Sequence, residues 1–324
     1  ERERVEKQFP QAGIRSIKRI APVLPVLSRR EMRVPFLDSE EMFGYNAGKG
    51  RVLWELAVDY ECARGGLAPA QVLEKMGEIV AIMQASIRAG LAGTQYADRI
   101  LGYQSGGFQA KMDGGGLLDG GMLNRMILYT TAMMEAKSSM GVIVAAPTAG
   151  SCGGLPGACL GAADTLGLSP DETAKAMLAA GLIGVFVAAH ATFAAEVGGC
   201  QAECGAGSGM AAAALVTLAG GSTRQAVDAA SMAFQNILGM VCDPVANRVE
   251  VPCLGKNVMA AANALSCANM ALAGYDKVVP LDEVIAAMDK VGKSLPHELR
   301  CTALGGLSVT KTSLEITKRL GGNE

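Results

Sequence analysis

Apolar residues recur at helical spacing along most of this chain. From Asp38 onward Leu53, Leu56, Ala57 and Tyr60 share one face, and so do Val72, Met76, Ile79, Val80 and Met83. Several helix starts are marked. Ser169-Pro170-Asp171-Glu172 places serine at the N-cap, proline at the first helical position and glutamate at the third, which is a capping box. Ser222 and Gln225 repeat that spacing ahead of Ala226-Val227, and Asp282-Glu283 opens a helix after Pro280. Alternation of β-branched residues is scarce, and Val142-Ile143-Val144, the best strand candidate, is short. The pattern predicts an all-α fold. Met210 to Ala219 and Val258 to Ala273 are nearly all Ala, Met, Leu and Asn. Small faces let backbones approach closely, so these segments are expected at the centre, wrapped by other helices.

Residues 1–37 differ from the rest. They hold Pro10, Pro22, Pro25 and Pro35 and the basic pair Arg29-Arg30. They read as an irregular N-terminal arm, followed by one helical domain over 38–324. The run Ala176 to Ala195 is long enough to cross a bilayer. It is mostly Ala and Gly, lacks flanking Trp or Arg and leads straight into Glu196, so a buried helix is expected rather than a span.

Composition narrows the function. Of 324 residues, 50% are hydrophobic and only 4% aromatic, with 41 glycines, so a large core must be built from small side chains. The net charge of -2 leaves no electrostatic footprint for nucleic acid. Residues 1–9 are polar with no apolar stretch behind them, so no secretory leader is expected. Nine cysteines are then expected as cytoplasmic thiols or metal ligands rather than as a disulfide framework.

Three glycine-rich stretches, Gly102 to Gly121, Gly150 to Gly161 and Gly198 to Gly209, carry Cys, Ser, Thr and Lys. Such loops turn the chain, or free backbone N–H groups to face a ligand; three together point to a shared site. No pair of CxxC units suggests zinc, and Gly205-Ala206-Gly207-Ser208-Gly209 follows no strand, as a dinucleotide fingerprint would. Cysteines next to Gly and Pro, as in Cys200, Cys204, Cys242 and Cys253, suit either an iron–sulfur cluster or buried free thiols.

Four ordered motifs carry a family resemblance. Ala145-Ala146-Pro147-Thr148-Ala149-Gly150-Ser151 resembles the APTxG loop of the iron–sulfur-dependent L-serine dehydratases, and Gly199-Cys200-Gln201-Ala202-Glu203 their GCQ(A/G)E motif. Gly239-Met240-Val241-Cys242-Asp243-Pro244-Val245-Ala246 with Val249-Glu250-Val251-Pro252-Cys253 resembles GLVCDPVxGLVEVPC. Leu295-Pro296-His297-Glu298-Leu299-Arg300 with Leu304-Gly305-Gly306-Leu307 resembles LPxELRETxLGGLA.

The resemblance runs from roughly residue 40 to 312. It implies a helical catalytic α domain and a [4Fe–4S] cluster on Cys200, Cys242 and Cys253, with one iron left open as a Lewis acid. Cys204 and Cys152, in the same loops, are expected to be bystanders. It also implies elimination of water from a β-hydroxy amino acid, L-serine giving pyruvate and ammonia. No Schiff-base lysine signature is evident, which agrees with an activity needing no pyridoxal phosphate. Family members carry a β domain, so a β subunit or self-association is expected.

Further site candidates follow from the same motifs. Ser105 and Lys111 match a shortened form of the family's SGxxGGxAKK loop; Lys111 would bind a carboxylate, act as a base or simply be solvated. Thr148, Gly150 and Ser151 are candidates for holding substrate or for turn chemistry. Glu203 and Glu250 would orient neighbouring groups. Departures from the family occur at Lys137, His190, Asn247, Lys256 and Lys311, several of them adding a cation or a hydrogen-bonding group near the expected site. They raise the alternative of a more anionic β-hydroxy acid as substrate. Two more functions stay open at this level, a desulfidase-type lyase and a non-catalytic cluster-bearing sensor or subunit.

Overall fold

A computed structural model describes residues 2–11 and 33–321. Most of the predicted arm, residues 12–32, lies outside them; Arg2–Gln8 forms a short helix. Among the described residues the chain is helical, and the only β-type pairing is an isolated bridge between Cys242 and Arg300.

The capping signals of the sequence act at the helix starts they mark. Ser169 accepts the Glu172 N–H at the start of Pro170–His190, Ser222 accepts that of Gln225 ahead of Thr223–Gln235, and Leu281–Ser294 follows Pro280. Each such cap satisfies an otherwise orphaned backbone donor and contributes about 1 kcal/mol. Asp38 caps Ser39–Asn46 in the same way.

Two helices form the centre. Every residue from Gly154 to Ala163 is buried in Gly154–Leu166, and every residue from Ala206 to Val216 in Ala206–Leu218. Ala206–Leu218 packs against Gly154–Leu166, Pro170–His190, Thr223–Gln235 and Cys253–Leu272, and Met122–Ser138 lies along Gly154–Leu166. Small residues make this spacing possible: a Cβ on Gly209 would stand 2.1 Å from Phe234 Cε1, and one on Gly157 2.2 Å from Thr130 Oγ1. Helix Pro170–His190 is the one described helix long and apolar enough to cross a membrane, and 67% of its most apolar window is buried against its neighbours.

The structure departs from the sequence pattern in three places. Val142-Ile143-Val144 is not a strand but irregular chain, tied down where the Ser86 hydroxyl donates to Val142 O at 2.7 Å. With no partner strand beside it, β propensity alone makes nothing. The stretch 102–121 contains the helix Ser105–Asp113. The stretch 198–209 is largely helical, passing from Ala195–Gly198 through a π-helical turn, Gln201–Gly205, into Ala206–Leu218. Gly205 and Gly209 serve close packing, while Gly199 uses its conformational freedom, with φ 71°, to end Ala195–Gly198.

Candidate functional site

The π-helical turn is the root of the site. Cys200 precedes it and Glu203 and Cys204 lie within it; such turns widen a helix by one residue and often mark functional positions. Gln201 fixes the turn from outside: its side chain donates to Met288 O at 2.6 Å and accepts the Gly239 N–H at 2.8 Å, while its own N–H donates to Met240 O. The last two contacts bring the segment carrying Cys242 against Cys200.

Cys200, Cys242 and Glu203 place their donor atoms within 4.8 Å of one another. The Cys200 thiol lies beside those of Cys204 and Cys242, and the Cys242 thiol beside that of Cys301. The neighbouring thiols of Cys204 and Cys242 hold that of Cys200 well below the ordinary range, with Lys256 adding to the effect. Cys253 opens the helix Cys253–Leu272 and is buried; it stands close enough to interact electrostatically with Cys200, Lys137, Lys256 and Glu203, yet outside the tight triad. Burial, reinforced by Cys200, pushes its thiol up to about 12.

The Ala145-to-Ser151 loop closes one side. Thr148 Oγ1 donates to Glu203 Oε1 at 2.6 Å and accepts the Ser151 N–H at 3.1 Å. Gly150 lies against the same carboxyl: a Cβ there would be 3.1 Å from Glu203 Oε1. Ser151 is fully buried beside the Cys204 thiol. Burial raises Glu203 to about 7; the Thr148 hydrogen bond opposes this, and the negative Cys200 and Glu196 add to it.

Asn257 holds the parts in register. It is fully buried, accepts the N–H groups of Gly153 and Gly154 at 3.0 and 2.8 Å, and donates to Gly150 O and Cys253 O. It thereby joins the start of one central helix to the loop and to a cysteine. No sequence pattern assigns it a role, since Asn263 and Asn269 are equally placed amides in the same helix of small apolar residues. Asn257→Ala is expected to destabilise the fold by about 3 kcal/mol, because each buried backbone group left unpaired costs about 1–3 kcal/mol. Asn257→Asp keeps the two acceptor contacts and should recover part of that loss. Equal urea midpoints for wild type and Asn257→Ala would refute this role.

Two lysines reach the site. Lys137 Nζ donates to Val249 O, and burial lowers its pKa against the pull of Cys253, Cys152, Glu250 and Glu203. Lys256 donates to Val241 O at 2.6 Å and pairs with Asp243 at 2.9 Å. Burial opposes its charge, but Cys200 and Asp243 outweigh that and hold it above the usual lysine range. Asp243 also accepts the Leu307 N–H, and Glu250 accepts the N–H groups of Ile100 and Leu101 at 3.0 Å each. Both carboxylates thus anchor flanking segments.

Five of the remaining candidates do not converge here. Ser105 is buried and donates to Gly90 O, and Lys111 is exposed towards the end of its helix. His190 is exposed at the end of Pro170–His190, Asn247 is exposed in a 3-10 turn, and Lys311 is 91% exposed beside Glu315. Cys301, which lies outside the ligand motifs, is at the site.

Thiols buried together with a carboxyl are a donor set for soft metal ions and iron–sulfur groups. The contrast lies in Cys159: fully buried, it is moved by burial alone, up to about 12. The site thus fits a thiolate-held metal group between the π-helical turn, the 145–151 loop and the Cys242 segment.

This arrangement is that of a helical protein with a cysteine-lined site whose donors suit a metal, and comparison with known sequences places it within one family. The family model described as Serine dehydratase alpha chain matches residues 48–308, and the chain belongs to that family. A relative from Bacillus subtilis named Probable L-serine dehydratase, alpha chain, is 39% identical over 251 residues, covering 78% of this chain and 84% of that one. L-serine dehydratase, alpha chain, of Peptoniphilus asaccharolyticus is 36% identical over 272 residues, 83% of this chain and 93% of its own. L-serine dehydratase 1 of Escherichia coli is 38% identical over 185 residues, but these span only 40% of that longer protein.

Proposed function

We propose that this chain is the α chain of an iron–sulfur-dependent L-serine dehydratase, converting L-serine to pyruvate and ammonia. The observation that carries this reading is the triad of Cys200, Cys242 and Glu203 within 4.8 Å, lined by the Thr148 loop, in a chain of the serine dehydratase α family. Cys200, Cys242 and Cys253 would hold a [4Fe–4S] cluster. Bound there, the cluster supplies a Lewis-acidic iron that makes hydroxide a better leaving group.

The remaining work falls to side chains. Glu203 takes the Cα proton of serine on Oε2, since Oε1 is occupied by the Thr148 hydroxyl. Loss of that proton and of the β-hydroxyl gives 2-aminoacrylate and water; tautomerisation and hydrolysis consume one water and release ammonia and pyruvate. Lys137 spends one of its three donors on Val249 O and keeps the others for the substrate carboxylate. Asn257 and Gln201 hold the frame. Crowding by the buried thiols excludes bulk water from the reacting atoms. A β chain is the expected partner.

A monocarboxylate suits this site better than a more anionic substrate. Lys256 is already committed to Asp243, Lys137 stands among Glu203 and Glu250, and His190, Asn247 and Lys311 are exposed. A second substrate anion would enter the cleft without a free cation. Anaerobically reconstituted protein is therefore expected to prefer L-serine over hydroxy-dicarboxylates by about 100-fold or more in kcat/KM, since a site that leaves a buried polar group unpaired discriminates at that level or above. A preference for the dicarboxylate would overturn this assignment.

A further inference from the structure

From Gly93 to Gln104 the chain forms a strap between two helices, and the strap has no apolar anchor. None of its residues is buried, and none packs in the hydrophobic core. What holds it is chiefly polar, and Arg99 is the centre. Arg99 knots the strap to itself, donating from Nε to Leu101 O at 2.7 Å and from Nη1 to Thr94 O at 3.0 Å. Its Nη2 donates to both oxygens of Glu135, at 2.7 and 2.9 Å, and its guanidinium carbon lies 4.3 Å from the centre of the Tyr96 ring. Glu135 is buried in helix Met122–Ser138 and also accepts the Thr94 hydroxyl.

The strap in turn grips the segment that leads into Cys253. Asp98 pairs with Arg248, and the Ile100 and Leu101 N–H groups both donate to Glu250 Oε2 at 3.0 Å. The Tyr96 hydroxyl lies beside the same carboxylate. Between the two gripped residues stands Val249, whose carbonyl accepts Lys137 Nζ. Lys137 belongs to the same helix as Glu135. One helix therefore holds the strap through Glu135 and, through Lys137, meets the segment that the strap grips. Residues 94–101 lie outside the four family motifs.

We infer that Arg99 is a positioning residue for serine turnover, acting through the 248–250 segment on Lys137. This rests on the reading of Lys137 as the cation that meets the substrate carboxylate. The Val249 carbonyl aims that amine. Arg248 and Glu250, held by the strap on either side, fix the carbonyl, and Arg99 fixes the strap. Arg99 acts at one remove, since its own donors are committed to Leu101, Thr94 and Glu135. A charge pair as enclosed as Arg99 and Glu135 is a weak source of net stability, because desolvation offsets its attraction. In a strap that adds nothing to the core, what the pair supplies is one fixed geometry.

The test uses two strap variants. Arg99→Lys keeps a charge for Glu135, but one amine cannot also reach Leu101 O and Thr94 O. Arg99→Met combined with Glu135→Gln removes the pair without leaving a buried charge alone. Arg125→Met, at the surface pair with Asp164, is the control. Amide exchange read by mass spectrometry comes first, since it needs no metal. In both strap variants the 245–252 peptide is expected to exchange about 5-fold faster than in wild type and the control, the change in opening equilibrium that loss of one net hydrogen bond brings. Each protein is then reconstituted anaerobically and assayed on L-serine, alone and in a Lys137→Met background. KM should rise about 10-fold with kcat within about twofold of wild type, inside the roughly 100-fold that a misplacement of about 1 Å costs. In the Lys137→Met background the strap variants should leave KM where Lys137→Met alone puts it, because residues acting as one unit are not additive. A full additive rise in KM there, or a wild-type KM in both strap variants, would overturn the inference. Unchanged exchange at 245–252 would do the same. An iron-loaded wild type that ignores serine would instead overturn the serine reading, and exchange alone would then decide whether the strap holds the segment.

Discussion

Cys200→Ala is expected to strip the protein of its metal group and reduce serine turnover to background. Cys200 is the central sulfur of the set: the Cys204 and Cys242 thiols lie beside it, its donor atom is within 4.8 Å of those of Cys242 and Glu203, and Glu203 lies one turn further along the same backbone. Removing it takes a ligand from the middle of the set rather than from its edge. Loss of a residue that merely orients a metal ligand costs 10–100-fold in affinity or activity, so loss of the ligand itself should exceed about 100-fold. The change is small in volume, and Cys200 is 2% exposed in a pocket already fixed by Gln201. The apoprotein's unfolding temperature should therefore move little. Cys159→Ala, at an equally buried thiol outside the site, should keep its iron. A Cys200→Ala protein with full iron content and full activity would remove the basis of the proposal.

Glu203→Gln is expected to lower kcat by about 10²–10⁴, the usual worth of a positioned proton acceptor, with iron content unchanged. The substitution keeps the volume and leaves a carbonyl to accept the Thr148 hydroxyl, which now reaches Oε1 at 2.6 Å. It removes the one carboxyl in the tight triad. Asp243 and Glu250 cannot substitute, because each is already committed to backbone N–H groups or to Lys256. A structural role for Glu203 would show instead as loss of iron or a lower unfolding temperature. A loss confined to KM, with kcat intact, would assign Glu203 to substrate binding and not to proton transfer.

What the sequence makes legible is mostly local. The Ser169 and Ser222 caps depend on residues three apart, and both form. The small-residue centre is legible because glycine and alanine leave room for backbone contact whichever helix they meet. Glycine spacing misleads at 198–209, where a loop pattern and a tightly packed helix have the same composition; Phe234 and Ile237, which press on Gly209 and Gly205, come from another part of the chain. Val142 to Val144 misleads because β propensity needs a partner strand. In the site, the motifs select Cys200 and Cys242, which the fold brings together, and Cys253, which it sets close by but apart. The same motifs select Lys111 and Lys311, which are exposed. Asn257 and Cys301 are not legible, since each matters through contacts with distant segments that no local pattern records.

The most direct test of the central claim is iron and acid-labile sulfide per chain on anaerobically prepared protein, with visible absorption recorded before and after adding L-serine. The account predicts about four irons and four sulfides per chain and a spectrum that changes with serine. Absence of iron after anaerobic reconstitution, with the fold intact, would mean that Cys200, Cys242 and Cys253 are structural thiols and would contradict the account.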